Sequence, residues 1–169
     1  VNAGVTAWLA TSATQPDAFL LESLTTADDW IAHAKAEDGA EAVGIHMEGP
    51  FINAKYSGMQ RKESIQLPSI EGFECYQQAA RGHIRLMTLA PELPDALPLI
   101  RHLRQAGVTV SAGHTDATFD ETTRAIEAGL RHITHAFSAM RGLHHREPGV
   151  VGALMYHQDT FAEVAKQSG

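Results

Sequence analysis

Apolar positions along the chain alternate between short runs rich in β-branched residues and longer amphipathic stretches that end in glycine. The short runs have the length of β-strands, and the longer stretches have the period of helices. The strands are expected at Gly4–Thr11, Ala42–Met47, Ile84–Leu89, Val108–Ala112 and His132–Thr134. The helices are expected at about Ala27–Ala36, from an N-cap at Ser69 through Ala80, and at Asp95–Gln105 and Asp120–Ala128.

This strand–helix order, without an obvious hairpin, predicts an α/β fold in which helices cover a parallel sheet. An open doubly wound sheet and a (β/α)₈ barrel both fit the pattern. A complete barrel takes about 250 residues, so five units correspond to roughly five-eighths of one. No linker or charge block divides residues 1–169, and we therefore expect a single domain.

Composition narrows the class of protein. Hydrophobic residues make up 44% of the 169, and no apolar run approaches the roughly 20 residues of a membrane-spanning helix. The first residues, VNAGVTAW, lack the basic start of a secretory signal. A net charge of −7 argues against nucleic acid or an anionic membrane as the main partner, but does not exclude a small anionic substrate. The single cysteine, Cys75, fits a reducing cytoplasm.

Candidate chemistry collects just after the predicted strands, where parallel α/β folds place their sites. Strand two is followed by His46 and Glu48, strand four by His114, and strand five by His135. Strand three leads to Thr88 and Glu92, and the loop GLHHREPG contains His144, His145 and Arg146.

Glu48, His114 and His135 are the residue types of a common ligand set for catalytic Zn²⁺. A cation would also offset the cost of burying the Glu48 carboxylate, and it would activate water and polarise a carbonyl. Simpler readings stay open: either histidine could be a hydrogen-bonded structural residue, and Glu48 could cap a loop or pair with a lysine. His46 could be a further ligand or could support the others. Arg146 suits a phosphate or carboxylate, or is a solvated loop charge.

Five motifs carry a family resemblance: GIHMEGPFI, TLAPE, SAGHTDAT, THAFSAM and HHREPG, in this order. They resemble the motifs of the N-acetylglucosamine-6-phosphate deacetylases of the amidohydrolase superfamily, over about Gly4 to Val164. The resemblance implies a partial (β/α)₈ TIM-type barrel with roughly strands two to six. It also implies a hydrolase that removes acetate from N-acetylglucosamine 6-phosphate and gives glucosamine 6-phosphate.

Motif by motif, the resemblance implies roles for seven residues. The metal ligands would be Glu48, His114 and His135. The substrate-binding residues would be Met59, Ser138, Ala139 and Arg146. Arg146 would anchor the phosphate, a contact that in this family can come from a neighbouring subunit, so a homo-oligomer is expected. Zn²⁺ is the expected metal, although Fe²⁺, Co²⁺ and Mn²⁺ use similar donors.

The sequence also departs from the family. Ser138 stands where the family usually has asparagine, and Gly58-Met59-Gln60 stands where it usually has a glycine, a small residue and histidine, so the sugar specificity is open. The motif of the family's catalytic aspartate is absent, so no catalytic acid/base is assigned in this chain. We therefore expect an internal piece of a deacetylase with little or no turnover alone. The alternatives are a non-catalytic, oligomeric metal- or sugar-phosphate-binding fragment and an amidohydrolase acting on a different amide.

Overall fold

The computed structural model describes residues 4–34 and 39–164. Its strands form one parallel sheet in chain order: β1 Ala7–Ser12, β2 Glu41–Glu48, β3 Ile84–Leu89, β4 Thr109–Ala112, β5 His132–Ile133 and β6 Phe161–Ala162. The helices are α1 Asp17–His33, α2 Ile70–Ala79, α3 Ala96–Gln105, α4 Phe119–Ala128 and α5 Gly149–Tyr156. The sheet curls into half of a barrel, which confirms the partial (β/α)₈ TIM-type fold.

The predicted element positions hold for most of the sheet and for α2 to α4. The first predicted helix was wrong at its start, because α1 begins at Asp17, directly after Pro16, and not at about Ala27. Proline is favoured at a helix start, and Leu20 and Leu24, four residues apart, are buried and extend the apolar face of α1 toward its beginning. The predicted end, Ala36, lies outside the described residues.

Among the α-helices and strands of the described residues, α5 and β6 were not predicted at all. The sequence of α5, GVVGALMY, has no polar face and therefore no amphipathic period to detect. Strand β6 has only two residues, too few for an alternating pattern. None of the helices in the described part of the chain combines the length and the hydrophobicity that crossing a bilayer requires.

The apolar core lies between the sheet and its helices. In α3, the residues Ala96, Leu99, Ile100 and Leu103 share one face at helical spacing, and all are buried. Met87 and Val110 on β3 and β4 belong to the same core. Burying each large aliphatic side chain contributes about 1.5–3 kcal/mol, so this layer holds the strands in place.

The other face of the sheet carries a buried layer of hydrogen-bonded side chains. His46 Nε2 lies 2.7 Å from Thr88 Oγ1, which lies 2.7 Å from Thr134 Oγ1. Ser111 Oγ lies 2.6 Å from Thr134 Oγ1 and 3.0 Å from His132 Nδ1. This layer, called the hydroxyl layer below, joins β2, β3 and β4 to the β5 segment just before the strand ends.

The loop that contains HHREPG is fixed by one carboxylate. Glu147 Oε1 accepts hydrogen bonds from the backbone N–H of Phe119 at 2.7 Å and of Gly149 at 3.1 Å. These are the first residues of α4 and α5, whose N–H groups have no partner within the helix. The Phe119 hydrogen bond, with that of Gly149, lowers the pKa of Glu147 although burial opposes the shift.

Candidate metal centre

Glu48, His114 and His135 meet at the carboxyl end of the sheet. One potential ligand atom from each lies within 4.8 Å of the other two. His114 Nε2 is 2.8 Å and His135 Nε2 is 3.6 Å from Glu48 Oε1, and the two Nε2 atoms are 3.1 Å apart. The three residues that sequence reasoning selected at separate strand ends are therefore neighbours in space.

The second nitrogen of each imidazole fixes which way the ring presents its lone pair. His114 Nδ1 lies 2.9 Å from the carbonyl oxygen of Tyr56, and His135 Nδ1 lies 3.1 Å from that of Ser138. A carbonyl only accepts, so each Nδ1 carries a hydrogen, and Nε2 is the nitrogen that each ring turns toward Glu48 and would offer to a metal. Two lone pairs and a carboxylate oxygen around one point fit a divalent cation, and such backbone contacts are typical of metal-binding histidines.

The backbone is strained at this end of the sheet. His114 and His135 have φ angles of +49° and +34°, and Phe137 and Ala139 are also in the left-handed region. Each such residue costs on the order of 1–3 kcal/mol, and such strain clusters at functional sites. The packing around the site therefore holds His114 and His135 in place against the backbone preference for negative φ angles.

Gly113 explains how β4 can deliver His114 to this point. A Cβ atom on Gly113 would lie 2.7 Å from Thr88 Cγ2 and 3.2 Å from Thr134 Cβ. Only glycine lets the end of β4 lie this close to the hydroxyl layer. The Ala-Gly-His order in SAGHTDAT thus has a steric reason.

Electrostatics favour positive charge at the centre. Burial alone would raise the pKa of the Glu48 carboxyl, but its hydrogen bonds and charge interactions with His114 and His135 outweigh burial and hold that pKa well below its usual range. The hydrogen bond to Glu48 raises the pKa of His135 against the effect of burial. By contrast, burial lowers the pKa of His46, which belongs to the hydroxyl layer and not to the three-residue cluster.

The predicted substrate-binding residues lie on loops, with less definite contacts. The Met59 side chain is fully exposed, and the Ser138 side chain is exposed while its carbonyl orients His135. The Ala139 carbonyl accepts a hydrogen bond from Thr115 N at 3.2 Å. Arg146 is exposed, and within the described residues its side chain makes no hydrogen bond or ion pair. The substrate roles of these four residues stay predictions.

Sequence reasoning missed two supporting side chains. Gln60 Nε2 donates to Glu48 Oε1 at 2.9 Å, and its only sequence signal was the departure from the family at Gly58-Met59-Gln60. Glu92 was noted only as following β3. Its carboxylate accepts from Asn53 Nδ2 at 2.9 Å, Thr115 Oγ1 at 2.5 Å and Asp116 N at 2.7 Å, and so joins the loops after β2 and β4.

Known proteins similar to this chain include deacetylases of phosphorylated amino sugars. No protein-family model matches the chain. N-acetylglucosamine-6-phosphate deacetylase from Bacillus subtilis (strain 168) is 42% identical over 162 residues, which cover 95% of this chain and 41% of the relative. A solved structure of a Mycobacterium smegmatis N-acetylglucosamine-6-phosphate deacetylase mutant, in complex with N-acetylglucosamine 6-phosphate, matches with a TM-score of 0.89 at 33% identity over 95% of this chain and 41% of that one. The chain is homologous to the N-acetylglucosamine-6-phosphate deacetylases.

The similarity to these deacetylases confirms the resemblance that the five motifs indicated. The chain spans about 41% of the length of the Bacillus subtilis deacetylase. N-acetylgalactosamine-6-phosphate deacetylase from Escherichia coli O157:H7 is also similar, at 36% identity over 163 residues, which cover 95% of this chain and 42% of the relative. Relatives with two different sugar names share this part of the fold.

Proposed function

We propose that this chain carries the metal centre and part of the substrate site of a hydrolase that converts N-acetylglucosamine 6-phosphate to acetate and glucosamine 6-phosphate. The observation that carries the proposal is the convergence of Glu48 Oε1 with the Nε2 atoms of His114 and His135. A divalent ion at this point supplies a Lewis acid that polarises the acetamido carbonyl and activates water. The donor set suits Zn²⁺, and Fe²⁺, Co²⁺ and Mn²⁺ accept similar donors.

The residues of the chain prepare this centre before any ligand binds. The carbonyls of Tyr56 and Ser138 hold both imidazoles in the required tautomer, and Glu48 is ionised. Thr134 of the hydroxyl layer directly precedes His135 in the chain, and it is buried together with Thr88 and Ser111. Proton transfer to the leaving amine needs a further group, because among the described residues the cluster contains one carboxylate only.

For the substrate, we propose contacts from the loops that follow the strands. The Arg146 guanidinium has the planar donor fork that suits a phosphate, and its exposed position allows it to serve a neighbouring subunit. Met59, Ser138 and Ala139 are proposed to contact the sugar. The deacetylase structure with bound N-acetylglucosamine 6-phosphate supports a sugar phosphate as ligand.

Self-association is a second proposal, favoured by an apolar surface beside the edge strand β1. Trp8, Phe19 and Trp30 are exposed, and the Trp8 and Trp30 rings lie 5.4 Å apart. Exposed aromatic surface next to a strand edge that is unpaired within the described residues favours homo-oligomers. We also propose that residues 1–169 form one domain. A cytoplasmic location is proposed because the single cysteine leaves no internal disulfide.

Calorimetric titration of sugar phosphates into the Zn²⁺-loaded chain tests the main proposal. We expect binding of N-acetylglucosamine 6-phosphate that weakens in a chelator-treated sample and is much weaker for N-acetylglucosamine without the phosphate. N-acetylgalactosamine 6-phosphate, titrated in parallel, decides between the sugars. Binding that is the same with and without Zn²⁺ and in Glu48→Gln would contradict the proposal.

Acetate release provides the second measurement. Loss of a general acid/base costs about 10²–10⁴-fold in rate, so we expect the isolated Zn²⁺-loaded chain to turn over N-acetylglucosamine 6-phosphate slowly or not at all. Turnover in the normal range of enzymes, on the order of 1–10³ s⁻¹, would show that the chain itself supplies the acid/base. Sedimentation of the same sample tests the homo-oligomer, which a clean monomer would exclude.

A further inference from the structure

Gln60 occupies a position between the candidate metal centre and the loop after β1. Its side-chain oxygen accepts a hydrogen bond from the backbone N–H of Thr14 at 2.5 Å, and its Nε2 lies 2.9 Å from Glu48 Oε1. A backbone N–H only donates and a carboxylate only accepts, so the amide has one allowed orientation. The donor end of Gln60 is therefore directed at the same carboxylate oxygen that faces both imidazoles.

The anchor of this contact is rigid. Thr14 is completely buried and packs against Gly49, where a Cβ atom would lie only 2.2 Å from Thr14 Oγ1. Gly49 has a φ of +86°, which is also a glycine conformation. The segment after β1 and the chain turn after Glu48 thus fit closely together, and Gln60 hydrogen-bonds to both sides.

Glu48 needs such a partner to hold its carboxylate still. The last torsion of a glutamate side chain is broad, so backbone position alone does not fix where its oxygens point. Hydrogen bonds to metal-binding carboxylates set their orientation, and removing one typically costs 10- to 100-fold in metal affinity. Within the described residues, the closest hydrogen-bond partners of the Glu48 carboxylate are His114 at 2.8 Å and Gln60 at 2.9 Å.

We infer that Gln60 is a positioning residue of the metal centre, which fixes the Glu48 carboxylate by linking it to the backbone of Thr14. This inference rests on the proposed function, because it requires that Glu48 bind a metal. It gives a role to a residue at which the sequence departs from its family. Gln60 itself is not a ligand, because its oxygen is directed to Thr14 and its nitrogen to Glu48.

Metal affinity tests the inference without any enzyme assay. Zn²⁺ binding to the 169-residue chain is measured by competition with a chromophoric chelator, and the absorption spectrum of the Co²⁺-loaded chain reports the ligand geometry. Gln60→Met keeps the length of the side chain and removes both hydrogen bonds. Gln60→Asn keeps an amide that is too short to reach both partners. Gln78→Met, at an exposed position on α2, is the matched control.

We expect both Gln60 variants to bind Zn²⁺ about 10- to 100-fold more weakly than the wild type and to change the Co²⁺ spectrum, with Gln78→Met unchanged. Circular dichroism of the metal-free variants should remain that of the wild type. Unchanged affinity and spectrum in the Gln60 variants would overturn the inference but would not contradict the proposed metal centre. Loss of affinity only together with loss of the metal-free fold would also overturn it. A wild-type chain that binds no metal would overturn the proposed function as well.

Discussion

The Nε2 atoms of His114 and His135 face each other at 3.1 Å, while the Nδ1 of each ring donates to a backbone carbonyl. Because each Nδ1 carries a hydrogen, the two Nε2 lone pairs would be directed at one another beside the Glu48 carboxylate whenever both rings are neutral. A shared cation removes that repulsion. This contact predicts how the stability of the chain responds to metal ions.

Zn²⁺ should therefore stabilise the folded chain. A ligand that binds only the folded state at 100 times its Kd adds about 2.7 kcal/mol to the free energy of unfolding. We expect the melting temperature to rise on adding Zn²⁺ and to fall back on adding a chelator. His114→Ala should lose this response.

His33→Ala is the control for that measurement, because His33 is an exposed residue of α1 whose ring, within the described residues, contacts the Asp29 carbonyl and lies outside the metal cluster. It should respond to Zn²⁺ as the wild type does. An equal rise in melting temperature in His114→Ala would mean that Zn²⁺ stabilises the chain from some other site.

Gly113→Ala should destabilise the chain and weaken metal binding together. The new methyl group would collide with Thr88 and Thr134, and inserting a methyl into a packed site costs about 1–3 kcal/mol. Relief of the collision moves the end of β4, and His114 moves with it. Urea denaturation measures the first effect, and chelator competition measures the second.

Gly142→Ala is the matched control, since a Cβ there meets nothing within 4 Å. Its unfolding free energy should stay within about 0.5 kcal/mol of the wild type. If both alanine variants had wild-type stability and affinity, the close approach at Gly113 would have no role in placing His114.

The sequence predicted the parallel sheet and the convergence of Glu48, His114 and His135, for a physical reason. Parallel strands end at one edge of a sheet, so residues far apart in the chain but each just after a strand must lie near one another. Gln60 could not be predicted in the same way. Its role depends on the path of a long loop after β2 and on a backbone N–H of Thr14, neither of which leaves a pattern in the sequence.

The same difference, between features that leave a pattern in the sequence and features that do not, explains the errors in the predicted secondary structure. Strand β3 was predicted at its observed ends because its largely apolar run, Ile84–Leu89, follows Gly82-His83 and is stopped by Pro91. Helix α5 was missed because it is buried on several sides, where periodicity vanishes. The hydroxyl layer was also missed, because single serines and threonines in strands are ordinary and only the register brings Thr88, Ser111 and Thr134 together.

Thr88→Val should destabilise the fold although the two side chains have nearly the same shape. It removes the hydroxyl that lies 2.7 Å from both His46 Nε2 and Thr134 Oγ1 and leaves these buried groups without that partner. An unsatisfied buried polar group costs about 1–3 kcal/mol, which urea denaturation resolves. Thr25→Val, on the exposed side of α1, should change the unfolding free energy by less than about 0.5 kcal/mol. Equal effects at the two positions would deny the hydroxyl layer any special contribution.

The stability of the chain should depend on pH through Glu147. The pKa of Glu147 is lowered in the folded state, chiefly by the hydrogen bond from Phe119 N, so the folded chain binds this proton less readily than the unfolded chain. The resulting stabilisation is complete above the unfolded pKa of about 4.3, and it is lost as the pH falls through the lower, folded value. Glu147→Gln keeps an oxygen acceptor but loses the charge, which also favours the N-terminal ends of α4 and α5. We therefore expect Glu147→Gln to be less stable than the wild type in urea at pH 7, with a difference that shrinks as the pH falls below about 4.

Glu127→Gln, which removes an exposed charge from α4, controls for net charge at pH 7. A difference between wild type and Glu147→Gln that stayed constant from pH 7 to acid would mean that the ionised carboxylate does not hold the two helix ends.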